Sequence, residues 1–330
     1  MPVLDVTAQV AAGWLRKTQP AGALGRLEEV VCQLAVVQQR ERPTLKTIAC
    51  HVFCGDHGVA RRGISAYPRE VTAQMLANLQ AGGAASAVLC RELGVRFAAH
   101  DVGVDHADAG PVRVARGTRD LLIEPAMTAE EMAAAMAVGR AAVQSGEPEV
   151  VILGEMGIGN TTVAAILAQR LLGGESGHFV GRGTGIDDVT FAKKQAVVSE
   201  AALIPLPVHG PLDVLQRFGG LEIAALVGGY LGAVGSRTTA IVDGVIASVA
   251  ALVAVMHDPG VRRHLIFGHR SPEPAHRLVL DALGGRPLLD LDLRLGEATG
   301  GLMAVPILRL ALALYGSMAE FDTSGVSGRL

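Results

Sequence analysis

Five times along this chain a short apolar run stops abruptly at a polar, glycine-bearing loop. "LKTIACHVFCG" (45–55) leads into "GDHG" (55–58), and "VRFAAHDVGV" (95–104) closes on "DVGVD" (101–105). "EVVILGE" (149–155) runs into "GEMGIGNTT" (154–162), and "TTAIVDG" (238–244) ends at Asp243 and Gly244. "HLIFGH" (264–269) opens "GHRSPEPAH" (268–276). Continuous apolar runs of this length read as strands buried on both faces. Helical pattern separates them: Arg69 to Leu93 with a break near Gly82 and Gly83, 128–144, and a helix opening at Asn160. In the second of these, Thr128 is placed to cap and Glu131 to answer it three residues later. Strands alternating with helices make a parallel sheet covered on both faces, an α/β fold. The segments 5–39 and about 299–321 are helical without strands and are expected to pack together as a small helical subdomain.

In an open parallel sheet the strand ends share one edge, where ligands bind. Five polar loops meeting there predict a small-molecule site. Only 3% of the residues are aromatic while half are apolar, so the core is built from Ala, Val, Leu and Ile. The formal net charge is −3 and no Lys/Arg-rich run stands out, which argues against nucleic acid as a partner. "MPVLDVTAQVAAGWLRK" lacks the order of a signal peptide. Glu222, Arg237, Asp243, His257 and Arg309 interrupt the longest apolar stretches, so no membrane span and a cytoplasmic location are expected. Four cysteines are too few for a disulfide framework. Cys50, Cys54 and His57 suggest a metal site, but in a strand the two thiols stand roughly 13 Å apart, which favours buried thiols and no metal.

"GEMGIGNTT" is one residue away from a phosphate-binding P-loop, with Asn160 where the lysine would stand. Its amides sit at a helix N-terminus and suit an anion. Without the lysine a monophosphate fits better than a triphosphate, with Thr161 and Thr162 as hydroxyl donors. The bland reading is an ordinary strand-to-helix turn. Glu155 resists that reading, because a carboxylate beside an anion pocket is electrostatically awkward. "GRGTGIDD" (181–188) is a second glycine loop, followed by Lys193 and Lys194. "LDLDLRLGEATGG" (289–301) alternates like a strand and ends at Glu297, ahead of a strongly apolar helix. Burial there would raise the Glu297 pKa and make it a general base near neutrality. Glu273 reads as a helix-start residue, His269 as an undecided neighbour of the site, and Asp56 and His57 as pocket lining. Tyr67 in "GISAYP" offers a flat wall for a ring.

The ordered set "GDHGVARRGISAYPREVTAQMLANLQAGGAA", "GEMGIGNTTVAAIL", "GRGTGIDD", "GGLEIAALVG", "GHRSPEPAH" and "LRLGEATG" resembles the nicotinate-nucleotide–dimethylbenzimidazole phosphoribosyltransferase family over nearly the whole chain. The resemblance implies a Rossmann-like parallel sheet (40–298) with a small helical subdomain from 1–39 and 299–330, assembled as a homodimer. It implies transfer of phosphoribose from nicotinate mononucleotide to 5,6-dimethylbenzimidazole with inversion, without cofactor or metal. It makes Glu297 the general base and Glu155 its partner. It places the phosphate and nucleotide at Gly157, Gly159, Asn160, Thr161, Thr162, Gly181, Gly183, Lys194 and Asp243, and the acceptor base at Tyr67, Met75, Met156 and Leu295. The family carries Gly after the catalytic Glu, where this chain has Ala298; a positive φ there would strain the turn. Two other readings are a catalytically silent nucleotide-binding protein and, against Asn160, a P-loop-like ATPase.

Overall fold

The computed structural model describes residues 5–106, 113–183, 185–206 and 210–327; Thr184 of the "GRGTGIDD" loop lies outside them. The chain begins with α1 (Val6–Arg16) and α2 (Arg26–Gln38), then β1 (Ile48–Gly55), α3 (Val71–Gln80), α4 (Ala85–Leu93) and β2 (Arg96–Gly103). It continues through α5 (Ala129–Gln144), β3 (Val150–Met156), α6 (Asn160–Leu172), α7 (Asp188–Leu203), α8 (Pro211–Phe218) and α9 (Leu221–Gly235). β4 (Thr239–Val242), α10 (Val245–His257), β5 (Leu265–Phe267), α11 (Pro274–Leu283), α12 (Thr299–Ser317) and the short α13 (Phe321–Ser324) follow.

The five strands form one sheet in the order β2-β1-β3-β4-β5, and every pairing is parallel. Alternate side chains leave on opposite faces. Ala49, Phe53, Val151, Leu153, Ala240 and Val242 enter one apolar cluster with residues of α5, α6, α9 and α10. Ile48, Cys50, Val52, Val150, Ile152 and Ile241 enter another with residues of α1, α2 and α12. With so few aromatic residues, close approach replaces bulk. A side chain at Gly228 in α9 would collide with the backbone at Met136, so only glycine lets α5 and α9 touch there.

Thr128 and Glu131 form the expected reciprocal cap of α5: Glu131 N–H donates to Thr128 Oγ1 at 3.1 Å and Thr128 N–H to Glu131 Oε2 at 2.8 Å. Segment 5–39 is two helices rather than one, because the chain turns at Pro20–Gly25 and Gly25 takes φ 51°. The chain ends meet: the Trp14 and Tyr315 rings lie 4.9 Å apart, and Lys17 Nζ bonds Glu320 at 3.1 Å. Segment 289–297 is not a strand. A single bridge joins Leu289 to His269, after which the chain leaves the sheet with Leu291 and Leu295 exposed. Its alternation has no neighbouring strand to answer it.

Arg309 does not interrupt its apolar stretch as the sequence suggests. α12 runs continuously through it for 19 residues, long and apolar enough by composition to cross a membrane. Half of that helix is buried inside the protein, with Leu302, Val305 and Leu308 in the core, and Arg309 donates to the Leu93 carbonyl at 2.8 Å.

Candidate active site

The loops after β3, β4 and β5 line a cleft with a cavity volume of about 110 Å³; the polar loops after β1 and β2 (55–58 and 101–105) do not line it. Its walls include Glu155 to Thr161, Arg182, Gly183, Lys194, Glu273 and Arg294 to Gly296. β3 delivers Glu155 to the sheet edge, and the chain then turns through Gly157 and Gly159 into α6. Gly159 holds φ 97°, a conformation that costs a side-chain-bearing residue about 1–2 kcal/mol.

Of the two expected catalytic carboxylates, Glu155 lines the cleft, while Glu297 is buried next to it and is not among the lining residues. Glu155 is buried and accepts from Asn160 Nδ2 and from the Glu297 backbone N–H. Burial first, then the charges of Asp243, Glu222 and Glu297, push its pKa well above the usual carboxylate range. Glu297 is 5% exposed, and burial followed by the Asp243 charge raises its pKa too. Among the described residues, Glu297 Oε2 is a buried oxygen with no hydrogen-bond partner. A poorly solvated carboxylate with a free oxygen and a raised pKa is suited to accept a proton.

The turn that carries Glu297 is unusual. Gly296, Glu297 and Ala298 all lie at positive φ, 82°, 58° and 67°. Ala298 is fully buried and immediately precedes α12. Two glycines make room for it: a side chain on Gly154 would meet the Ala298 nitrogen at 2.5 Å, and one on Gly296 would meet Glu155 Oε1 at 2.7 Å.

Lys194, 1% exposed, also belongs to the cleft wall. Its Nζ donates to Gly181 O at 2.9 Å and to Thr161 Oγ1 at 3.0 Å. No ion pair engages it among the described residues, and burial pulls its pKa down to about 8. The Glu273 charge only partly offsets that burial, and a buried ammonium with no ion-pair partner is costly unless an anion joins it. Lys193, next to it, is exposed.

The expected residues divide plainly. Gly157, Gly159, Asn160, Thr161, Gly183, Lys194, Glu155, Met156 and Leu295 line the cleft. Gly181 touches it through Lys194. Thr162 is buried in α6 away from the cleft wall. Asp243 is also buried; it accepts from the Gly301 N–H at 2.9 Å and so anchors the start of α12 instead of facing the cleft. Tyr67 is 52% exposed and Met75 half-buried in α3, both outside the cleft wall. Asp56 and His57 lie beneath the loop, where His57 Nε2 meets Glu222 Oε1 at 2.8 Å with both side chains fully buried. Cys50 and Cys54 are buried free thiols.

Sequence reasoning misses Glu273 and Arg294 in the cleft wall, and Glu222, which lies off the wall against the buried His57. Glu222 carries a visible signal, a lone carboxylate inside "GGLEIAALVG". Arg294 has none beyond its place beside Leu295.

A phosphoribosyltransferase family model matches residues 2–326. Relatives named nicotinate-nucleotide–dimethylbenzimidazole phosphoribosyltransferase include one from Bradyrhizobium sp. strain BTAi1, 49% identical over 94% of this chain and 92% of that one. One from Pseudomonas aeruginosa PAO1 is 49% identical over 95% and 92%. The crystal structure of CobT from Thermus thermophilus superposes with a TM-score of 0.93 at 42% identity, covering 98% of this chain and all of that one. A second structure from the same organism, titled as the same phosphoribosyltransferase, gives 0.92 at 40% identity, covering 99% of each chain. On fold, motifs and overall likeness, this chain belongs to the nicotinate-nucleotide–dimethylbenzimidazole phosphoribosyltransferase family.

Proposed function

We propose that this protein transfers the phosphoribosyl group of nicotinate mononucleotide to 5,6-dimethylbenzimidazole, releasing nicotinate and giving α-ribazole 5′-phosphate for the nucleotide loop of cobalamin. The observation that carries the reading is the charge layout of the cleft. Nicotinate mononucleotide has a cationic pyridinium at one end and a phosphate at the other. The cleft wall carries the carboxylate of Glu155 and the buried ammonium of Lys194, and Glu297 is buried behind Glu155, to which its backbone N–H donates.

In this reading Lys194, Thr161 and the Gly157–Gly159 turn hold the 5′-phosphate, which places the anomeric carbon toward Glu155. Glu297 Oε2 takes the ring N–H proton of the benzimidazole as its other nitrogen attacks that carbon. The bond to the pyridinium nitrogen breaks, and its electron pair returns to the nicotinate ring. Attack opposite the leaving group inverts the anomeric carbon from β to α. Glu155, held by Asn160, stabilises the positive charge that develops on the sugar. Met156 and Leu295 form the near wall for the acceptor base, with Tyr67 and Met75 further out. The organisation that goes with this is a large unit over 40–298, a helical unit from the two chain ends, a homodimer and a cytoplasmic location.

The test is to incubate purified protein with both substrates and follow both products by chromatography. Release of nicotinate matched by α-ribazole 5′-phosphate supports the reading. Nucleotide binding without turnover would favour a silent binder instead, the alternative that the left-handed Ala298 keeps in view.

A further inference from the structure

Glu273 occupies the N-cap position of α11, yet its side chain makes no cap bond. Its Oε1 instead accepts from the backbone N–H of Gly183 at 2.9 Å, 90 residues away in sequence. Gly181, two residues earlier, has the Glu273 carboxylate where a side chain would otherwise stand. The Gly181 carbonyl in turn receives Lys194 Nζ, which also reaches Thr161 at the start of α6. One carboxylate, one glycine loop and one buried ammonium are thus tied together.

The segment carrying Glu273 is itself held. Ser271 N–H donates to His276 Nδ1 at 2.8 Å, and His276 Nε2 meets Ser248 Oγ of α10 at 3.0 Å. An amide can only donate, so Nδ1 accepts and the ring proton sits on Nε2, directed at Ser248. Burial, with the neighbouring His269 ring, brings the His276 pKa down to about 3, so the ring stays neutral. Glu273 therefore projects from a fixed base.

A carboxylate beside an anion site either repels the anion or organises the cations that receive it. Glu273 makes no ion pair with Lys194; it binds the loop whose carbonyl fixes that ammonium. Among the described residues Lys194 makes no ion pair, and it feels the Glu273 charge only through space. We propose that Glu273 is a positioning residue for the phosphate end of the substrate, stapling the 181–183 loop so that Lys194 is held at the anion site. This rests on the cleft being a mononucleotide site.

Two variants test it. Glu273→Gln keeps an oxygen for the Gly183 N–H and removes the charge; Glu273→Ala removes both. Glu273→Ala raises KM for nicotinate mononucleotide about tenfold or more, the loss expected when a charged hydrogen bond is deleted, while kcat stays within about twofold. Glu273→Gln recovers most of that KM. Because its carboxylate charge favours protonated Lys194, Glu273→Gln also moves the alkaline limb of kcat/KM to lower pH. Other charged or titratable groups lining the cleft are Glu155, Arg182, His269 and Arg294, and all remain in both variants. Wild-type KM and an unmoved alkaline limb in both variants would overturn the proposal, as would a loss confined to kcat. Should Glu273→Ala fail to fold, the pH limb of Glu273→Gln decides alone. Wild-type protein is the control: if it does not turn over, the functional reading fails, whereas active wild type with silent Glu273 variants removes only this inference.

Discussion

Replacing Gly154 with alanine tests whether the Glu297 turn is as rigid as its surroundings imply. The added methyl would lie 2.5 Å from the Ala298 nitrogen, 2.7 Å from the Glu297 carbonyl carbon and 2.8 Å from the Ala298 Cβ. Ordinary contact begins near 3.4 Å, so β3 and the turn must separate by roughly 0.9 Å on that side. None of these three atoms belongs to a flexible side-chain end. Both residues are buried and already at positive φ, with little freedom to rotate aside. Overpacking of this kind costs about 1–3 kcal/mol of stability. A reacting group misplaced by about 1 Å costs about 10²-fold in rate. Gly154→Ala is therefore expected to lower kcat about a hundredfold with little change in KM for the nucleotide, whose phosphate is proposed to rest on Lys194 and Thr161 and not on the Glu297 turn. Steady-state kinetics in both substrates, with circular dichroism and a melting curve on the same sample, measure this. A folded variant with a lowered Tm and wild-type kcat would refute the reasoning, because the turn would have moved without displacing its carboxylate.

Three further outcomes follow from the same site. Glu297→Gln abolishes turnover yet raises Tm at pH 7: the folded-state pKa lies above the unfolded value of 4.5, so ionising the carboxylate destabilises the fold at neutral pH, and the advantage fades as pH falls below 4.5, where both states become protonated. An unchanged melting curve would contradict the burial argument. Lys194 has a folded pKa of about 8 against 10.5 when exposed, so the folded state sheds its proton first and apo stability rises between those pH values. A phosphate beside it restores the proton, so calorimetry at pH 8.5 in buffers of different ionisation enthalpy shows proton uptake on nucleotide binding, and Lys194→Met shows none. Ala298→Gly relieves about 1–2 kcal/mol of left-handed strain but loses about 0.8 kcal/mol of methyl burial and about 0.4–1 kcal/mol through a freer unfolded chain. Those terms nearly cancel, so Tm and kcat both stay close to wild type; a large gain in either shows that the alanine impairs the turn.

The parallel sheet is legible because strands buried on both faces are apolar without interruption, and each of the five runs ends within two residues of a strand end. The Thr128–Glu131 cap is legible because its partners are three residues apart. Glu273 and Glu222 are not, since their partners lie 90 and 165 residues away and local sequence makes the first a helix-start residue. The family resemblance makes Asp243 a nucleotide ligand, but the sequence does not reveal that its carboxylate accepts from the Gly301 N–H of α12. Nor does it reveal a φ angle: alanine gives no local sign of the left-handed conformation that glycine would have announced.

The proposed base comes from the far end of the chain, after the last strand, whereas the phosphate loop follows β3 near its middle. Yet Leu302, Val305 and Leu308 of α12 lie in the same apolar cluster as Ile152 of β3 and Ile241 of β4, so the helix that follows the base also closes one face of the sheet. Because a domain folds as a unit, the sheet and the group that it needs for chemistry are completed together.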